Sequence, residues 1–202
     1  YIESDANFAN GSIYIKNLRD LTQARRQLTT GLDAQLRELS STSRGAFVYF
    51  HDVLPNGKTG IYKINRLNGN VTRAIPTATQ SLDYSIRNPS VTGRLVIEQD
   101  GTLTTSGDVW LISETDNPTT ATGQIYAYKL QTSGLGFANW DGTTIKQVTN
   151  FSSGNRTARP KASRDGDKIM LEEIRNSDGK TNFYVFNGLQ NILNGTTQPY
   201  NY

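Results

Sequence analysis

One pattern of apolar and polar positions occurs four times along the chain. An apolar run fades into acidic or polar residues, a turn follows, and a second run then alternates apolar with polar positions. Alternation with a period of two is typical of β-strands, and the Asn-Gly or Asp-Gly pairs in three of the turns favour the positive φ of tight hairpins. The pattern therefore predicts four β-hairpins, at 1–18, 47–65, 109–130 and 169–187.

Weaker strand signals flank each hairpin. One more strand is predicted after every hairpin, at 24–29, 71–77, 145–149 and 197–202. Pro76 and Pro199 lack a backbone N–H, which favours an outer edge for the strands that contain them. Inner strands are predicted before the last three hairpins, at 33–39, 83–91 and 156–162.

Units of four antiparallel strands that recur along a chain are the signature of propeller blades. We therefore predict an all-β fold, a β-propeller of four-stranded antiparallel blades, with four blade units of which the first lacks its inner strand. The chain is predicted to form a single domain, 1–202, in units of about 1–31, 32–79, 80–151 and 152–202. Almost no helix is expected, apart from short turns near 32–36 and 188–193.

The last unit carries a family resemblance. It combines the inner strand RPKA, led by Pro160, with an acidic turn at 165–167, an apolar second strand, a glycine turn at 178–180 and the aromatic strand FYVFN. This succession resembles the blade of the TolB-like β-propeller family. The resemblance covers most of the chain, with two departures: extra residues at 94–106 and the missing first inner strand. It implies a protein-interaction platform of the cell envelope.

Composition removes several classes of function. The 202 residues include no cysteine, which excludes disulfide scaffolds, thiolate metal sites and cysteine nucleophiles. Lys and Arg number 21 against 18 Asp and Glu, a mildly basic balance that predicts no nucleic-acid partner. No apolar run approaches a membrane span. Because the chain starts at Tyr1 and its single methionine is Met170, we expect a processed or excerpted piece of a longer product.

The residues with catalytic or metal-binding chemistry do not form a site in the sequence. His51 is the one histidine, and we expect it to be partly exposed at a strand end, because a lone imidazole is a weak metal site. The Asp-Gly motifs at 165–167 and 178–179 are too short for calcium loops and indicate turns. Glu172 and Glu173 are adjacent on a strand, so they point to opposite faces and cannot act as a glycosidase pair. With no Gly-x-Ser-x-Gly elbow, we predict no enzyme activity, no catalytic residue, no metal and no cofactor.

The aromatic residues give two interpretations, packing or sugar binding. Equivalent positions of the repeats hold a tyrosine, which favours packing between blades: Tyr14, Tyr62, Tyr126 and Tyr184. Trp140 belongs to a longer predicted loop and is the candidate exposed aromatic for a ligand such as a carbohydrate. The alternative role for Trp140 is to fill a gap over the third unit.

Sequons for N-glycosylation are predicted in turns or loops, and they mark candidate attachment sites if the source glycosylates exported proteins: Asn10, Asn70, Asn150, Asn155 and Asn194.

The leading hypothesis is an exported, non-enzymatic propeller, extracellular or in the periplasm or cell envelope, that binds a protein partner or copies of itself. The rival is a carbohydrate-binding, lectin-like propeller. Because the first unit lacks an inner strand, we expect self-association into filaments by strand addition. The candidate assembly strands are Tyr1, Ile2, Glu3 and Ser4 at one end, and Thr197, Gln198, Pro199, Tyr200, Asn201 and Tyr202 at the other.

Overall fold

The computed structural model of the protein describes residues 2–4, 11–15, 22, 24–32, 40–41, 47–77, 80, 83–92, 95–97, 103–105, 108–116, 123–133, 136–151, 155–163 and 165–201. Within these ranges the chain is built almost entirely of antiparallel strands, with one short helix. The all-β prediction is therefore confirmed.

The first two sheets follow the predicted strand order. Sheet 1 has the order β1-β2-β3, formed by β1 (Ile2–Ser4), β2 (Gly11–Ile15) and β3 (Arg26–Leu32). Sheet 2 has the order β4-β5-β6-β7, formed by β4 (Ser40–Ser41), β5 (Phe47–Val53), β6 (Thr59–Asn65) and β7 (Val71–Ile75). The inner strand predicted at 33–39 lies outside the described residues.

The third sheet is the longest and carries an insertion. Its strands are β8 (Ile86–Val91), β11 (Val109–Asp116), β12 (Gly123–Ser133) and β13 (Gly136–Gln147), and the inserted hairpin consists of β9 (Leu95–Ile97) and β10 (Leu103–Thr105). The order of sheet 3 is β13-β12-β11-β8. Its outer strand β13 begins at Gly136 rather than at the predicted 145, so the expected loop around Trp140 is part of a strand.

The fourth sheet has one strand fewer than predicted. Sheet 4 has the order β14-β15-β16, formed by β14 (Asn155–Ala162), β15 (Lys168–Arg175) and β16 (Thr181–Asn187). The chain then reverses at Gly188, where φ is +77°, and enters helix α1 (Leu189–Leu193), which lies in the predicted turn. Residues 197–201 form no strand, which corrects the predicted outer strand.

The segment after α1 docks on sheet 3 instead of extending sheet 4. Leu189 and Leu193 are buried in the cluster between sheets 3 and 4 and draw the chain back over that interface. Tyr200 then makes a parallel bridge with Thr149, donates its N–H to Val148 O at 2.9 Å and stacks on Phe186 with ring centroids 4.3 Å apart. The predicted outer strand at 197–202 is therefore wrong over 197–201, because Tyr200 bridges to Thr149 instead of pairing with sheet 4. The assembly role of this segment stays a prediction.

Three hydrophobic clusters lie between successive sheets. Ile13 of sheet 1 meets Phe50 and Ile64 of sheet 2. The next two clusters join sheet 2 to sheet 3 and sheet 3 to sheet 4, through side chains such as Ile61 with Leu111 and Ile125 with Leu171. The forward face of a sheet is defined here as the face toward the next sheet in chain order, and the backward face as the opposite one.

The inner strands β8 and β14 share a bulge immediately before a proline. Asn88 precedes Pro89 and Arg159 precedes Pro160, and these two residues have positive φ, 54° and 48°. The strand register shifts at the same points. Proline offers no N–H to the ladder, so a bulge places it where no donor is needed.

Candidate interaction surface

The two faces of sheet 4 differ in burial. Along β15 and β16, exposed and covered residues alternate, as a strand with one solvated face requires. Backward residues such as Ile169, Leu171 and Phe186 pack in the cluster shared with sheet 3. The forward residues therefore form an open face on the last sheet of the described chain.

Large apolar side chains occupy this face, which we call the open face and define by Met170, Glu172, Phe183 and Val185. Phe183 is 67% exposed, Val185 64% and Met170 43%. Met170 pairs directly with Val185 across the two strands, and Glu172 pairs with Phe183. Single exposed apolar residues are ordinary on protein surfaces, whereas neighbouring apolar residues that are exposed together make a surface a candidate for interaction.

The strand register identifies the equivalents of these residues in sheet 3. Ile112 pairs with Ala127 as Met170 pairs with Val185, and Glu114 pairs with Ile125 as Glu172 pairs with Phe183. Those equivalents are fully buried: Ile112, Glu114, Ile125 and Ala127. The open face thus repeats the composition of a face that elsewhere in the chain is covered by a neighbouring sheet.

Glu114 shows what such a covered face does with its carboxylate. Its Oε2 accepts from Asn88 Nδ2 at 2.9 Å, and its Oε1 accepts from Arg87 Nε at 3.2 Å within the same sheet. From sheet 4, Arg156 donates Nε at 2.6 Å and makes a second contact through Nη2 to Oε1. The buried charge is therefore satisfied partly by its own sheet and partly by the sheet that packs over it.

Glu172, like Glu114, has an ion-pair partner within its own sheet. It pairs with Arg159 of its own sheet, with Nη1 3.1 Å from Oε2, and Arg159 occupies the bulge position that Asn88 holds in sheet 3. Arg87 also binds Asp116 in sheet 3, and that pair extends the cluster toward the surface. Glu172 thus occupies in sheet 4 the position that Glu114 holds in sheet 3, where the ion pair with Arg156 joins two sheets.

His51 is buried, which corrects the expectation of a partly exposed imidazole. It is 7% exposed, and its Nδ1 accepts from the backbone N–H of Asn88 at 3.3 Å. His51 pairs with Ile61 as Glu114 pairs with Ile125, so it occupies the corresponding place in sheet 2. The structure therefore gives His51 an inter-sheet packing role, like that of Glu114.

Trp140 is also buried, at 7% exposure, so it is not an exposed ligand aromatic. Its ring packs edge-on against Tyr128, with centroids 5.6 Å apart, and its Nε1 donates to Thr144 O at 3.1 Å. Asp141 shapes the adjacent turn by accepting from the N–H groups of Thr143 and Thr144. The alternative interpretation, that Trp140 fills space over the third unit, matches this packing.

Three of the four repeated tyrosines pack against the clusters between sheets, as predicted. Tyr62 stacks on Phe50 at 5.9 Å, Tyr126 packs against the cluster between sheets 2 and 3, and Tyr184 lies 6.3 Å from Phe151. Tyr62, Tyr126 and Tyr184 are half-buried and contribute to the clusters on the backward faces of their sheets.

The acidic residues of sheet 4 behave as the sequence predicts. Glu173 lies on the opposite face from Glu172 and accepts hydrogen bonds from Asn155, Asn182 and Tyr184. Burial acts to raise the pKa of Glu173, but these three hydrogen bonds outweigh it and hold the pKa below its usual value. The carboxylate therefore stays ionised inside the interface with sheet 3.

The two Asp-Gly motifs form turns. Asp165 accepts from Ser163 Oγ at 2.5 Å and from Asp167 N at 3.2 Å, with Gly166 at φ +75°. Asp178 accepts from Lys180 N at 3.1 Å. No group of three or more acidic, histidine or cysteine residues suited to a metal ion occurs in the part of the chain that the structure describes.

The sequons differ in how accessible they are. The side chains of Asn70, Asn150 and Asn194 are exposed, whereas Asn10 lies outside the described residues. Asn155 is part of β14, not of a loop, and its Nδ2 donates to the buried Glu173 at 2.6 Å. A glycan on Asn155 would break that hydrogen bond, so this candidate site is not supported.

Comparison with known proteins adds evidence on the fold. A solved structure of TolB from Acinetobacter baumannii superposes with a TM-score of 0.50 and 21% sequence identity over 91% of this chain. The chain has a TolB-like fold. It spans 39% of the length of that TolB chain. No family model and no curated protein matches the sequence.

The fold comparison confirms the resemblance predicted from RPKA, the two turns and FYVFN. Sequence reasoning placed Phe183 and Val185 in a strand but did not identify them as a surface. The signal was present in the segment FYVF. Successive residues of a strand point to opposite faces, so four consecutive apolar residues make both faces of the sheet apolar. In the described ranges, no helix is both long and apolar enough to cross a membrane.

Proposed function

We propose that the protein is an exported, non-enzymatic β-propeller unit whose work is to bind protein, and that the open face is its contact surface. The observation that carries this proposal is the exposure of Met170, Phe183 and Val185 at positions whose equivalents in sheet 3 are buried under a neighbouring sheet. The TolB-like fold, with its resemblance to interaction platforms of the cell envelope, supports this class of function.

The blade arrangement belongs to the same proposal. In this proposal sheets 1 to 4 are four blade units; among the described residues the first has no inner strand and the last has no outer strand. Both β1 and β16 lie at an edge of their described sheets. Edges of this kind accept added strands, so β1 remains a candidate assembly strand in addition to the open face.

A photo-cross-linking residue at position 185 tests the proposal in cells that express the full natural protein. We expect a protein adduct from Val185→benzoylphenylalanine that disappears when Phe183→Asp is added. The matched control carries the same probe at Leu67, which is 69% exposed in the turn after β6. Equal adducts from positions 67 and 185, or no protein adduct from position 185, contradict the proposal.

A glycan array tests the rival carbohydrate-binding function. None of the described residues offers an exposed Trp, because Trp110 and Trp140 are both buried. We therefore expect no glycan to bind. Saturable binding to a defined glycan that survives Phe183→Asp would favour the lectin-like function instead.

Export is tested by the intact mass of the natural product against 22.4 kDa, before and after glycosidase treatment. If the source glycosylates exported proteins, we expect glycans at the exposed Asn70, Asn150 and Asn194 and none at Asn155. A glycan on Asn155 would contradict the hydrogen bond between its Nδ2 and Glu173.

A further inference from the structure

We infer that the open face binds the outward, backward face of sheet 1 in a second copy of this chain. The inference rests on the proposed function, because it names the partner of that same surface. It commits to a head-to-tail contact between two different surfaces, with Phe183 and Val185 on one molecule and Tyr14 on the other.

The described interfaces all follow one rule. In each of β2, β6 and β12, the residue directly before the repeated tyrosine points forward. It shares a hydrophobic cluster with the repeated tyrosine of the next sheet, which points backward. Ile13 and Tyr62 share one cluster, Ile61 and Tyr126 the second, and Ile125 and Tyr184 the third. Phe183 is the next forward residue in this series, since it pairs with Glu172 as Ile125 pairs with Glu114.

Tyr14 is the remaining tyrosine of the series. Its neighbour Ile13 points toward sheet 2, so Tyr14 lies on the backward face of sheet 1. Tyr14 is half-buried, and the guanidinium of the exposed Arg25 lies 4.5 Å from its ring centroid. Ser12 and Gln27 are hydrogen-bonded to each other beside it, at 3.1 Å.

The two faces are complementary in character. Phe183 and Val185 offer apolar area, which an aromatic ring with a polar tip covers well. Arg25 brings positive charge toward the face that holds Glu172, as Arg156 brings it to Glu114 in the covered interface. The proposed contact therefore continues an arrangement that the chain already uses between its own sheets.

In the inferred contact, the partner face belongs to a second copy of the chain. Among the described residues, none of the three hydrophobic clusters joins sheet 1 to sheet 4. A contact between two different surfaces gives a ring when the rotation closes and an open filament when it does not. The self-association expected from the sequence thus takes place through sheet faces.

Site-specific cross-linking tests the contact, and the absence of native cysteine removes background reaction. One variant carries Ser12→Cys and another carries Val185→Cys, and the two are mixed at micromolar concentration with a short bismaleimide, to which both thiols add. We expect a cross-linked heterodimer, with the linkage between positions 12 and 185 identified by mass spectrometry. Adding Phe183→Asp to the second variant should reduce its yield at least tenfold, and adding Leu67→Asp should leave it unchanged.

Three results would overturn the inference. They are a monomer at every concentration, a dominant linkage between two copies of position 185, and a linkage within one chain when both cysteines are placed in a single dilute molecule. Each of these leaves the proposed function standing if the probe at position 185 still yields a protein adduct that Phe183→Asp abolishes. Circular dichroism of each single variant checks that the sheets are intact before mixing.

Discussion

Sheets 3 and 4 use the same strand pairing but differ in what covers their forward faces. In sheet 3, Ile112 and Ala127 are buried under sheet 4, and Glu114 binds Arg156 across the interface. In sheet 4, Met170 and Val185 occupy the same register positions and are largely exposed. The comparison shows that sheet 4 carries side chains suited to burial under another sheet, although the described chain supplies no further sheet to cover them.

The largest expected difference concerns the two equivalent glutamates. Glu114→Ala leaves Arg87, Arg156 and Asn88 without their shared acceptor, and breaking a buried ion pair of this kind costs about 3–5 kcal/mol of unfolding free energy. Glu172→Ala removes an ion pair with the exposed Arg159, and it should cost less than about 1 kcal/mol. Urea denaturation measures both values. Equal losses of unfolding free energy in Glu114→Ala and Glu172→Ala would contradict the distinction between the covered face and the open face.

The equivalent apolar pair gives the next largest effect. Ile112→Ala opens a cavity in the cluster between sheets 3 and 4 and should cost about 2–4 kcal/mol. Met170→Ala trims a side chain that is 43% exposed, so the isolated protein should lose less than about 1 kcal/mol. The same denaturation series compares them. If Met170→Ala lowered the unfolding free energy as much as Ile112→Ala does, the open face would be covered within one molecule.

His51 tests the comparison at the junction of sheets 2 and 3. His51→Ala removes the acceptor for the Asn88 N–H and leaves space in a buried site, so we expect a loss of about 1–3 kcal/mol. Thermal unfolding followed by circular dichroism measures it. An unchanged melting temperature would favour the exposed imidazole expected from the sequence.

The smallest expected effect is the pH dependence that Glu173 contributes. Its pKa is lowered in the folded state, so the unfolded chain takes up the proton first as pH falls. The stabilisation is complete above the unfolded pKa of about 4.3 and is lost as pH falls through the folded pKa. Stability curves between pH 7 and 3 should therefore be flatter for Glu173→Gln than for the wild type. Parallel curves would contradict the role assigned to the three hydrogen bonds.

Sequence patterns predicted most strands because alternation and turn glycines are local signals. The hairpins at 47–65, 109–130 and 169–187 and the inner strand of sheet 4 all appear in the structure. The outer strand at 197–202 failed because Leu189 and Leu193 dock into the core and redirect the chain, a tertiary effect that no local pattern contains.

The candidate site was harder to predict than the fold. His51 was expected to be partly exposed because polar residues follow it, and for Trp140 the sequence left exposure and gap filling open. Both residues are buried by contacts with distant residues such as Asn88 and Tyr128. The open face became visible only when the strand register showed that Phe183 and Val185 match buried positions of sheet 3. Burial depends on the neighbouring sheet, and composition along one strand does not report it.

Sedimentation velocity of the purified chain tests the central claim, that the open face is a protein-binding surface used between copies. We expect the wild type and Leu67→Asp to associate as concentration rises, and Phe183→Asp to remain at the monomer mass of 22.4 kDa. The account is contradicted if Phe183→Asp, with its fold intact by circular dichroism, shows the same distribution of species as the wild type.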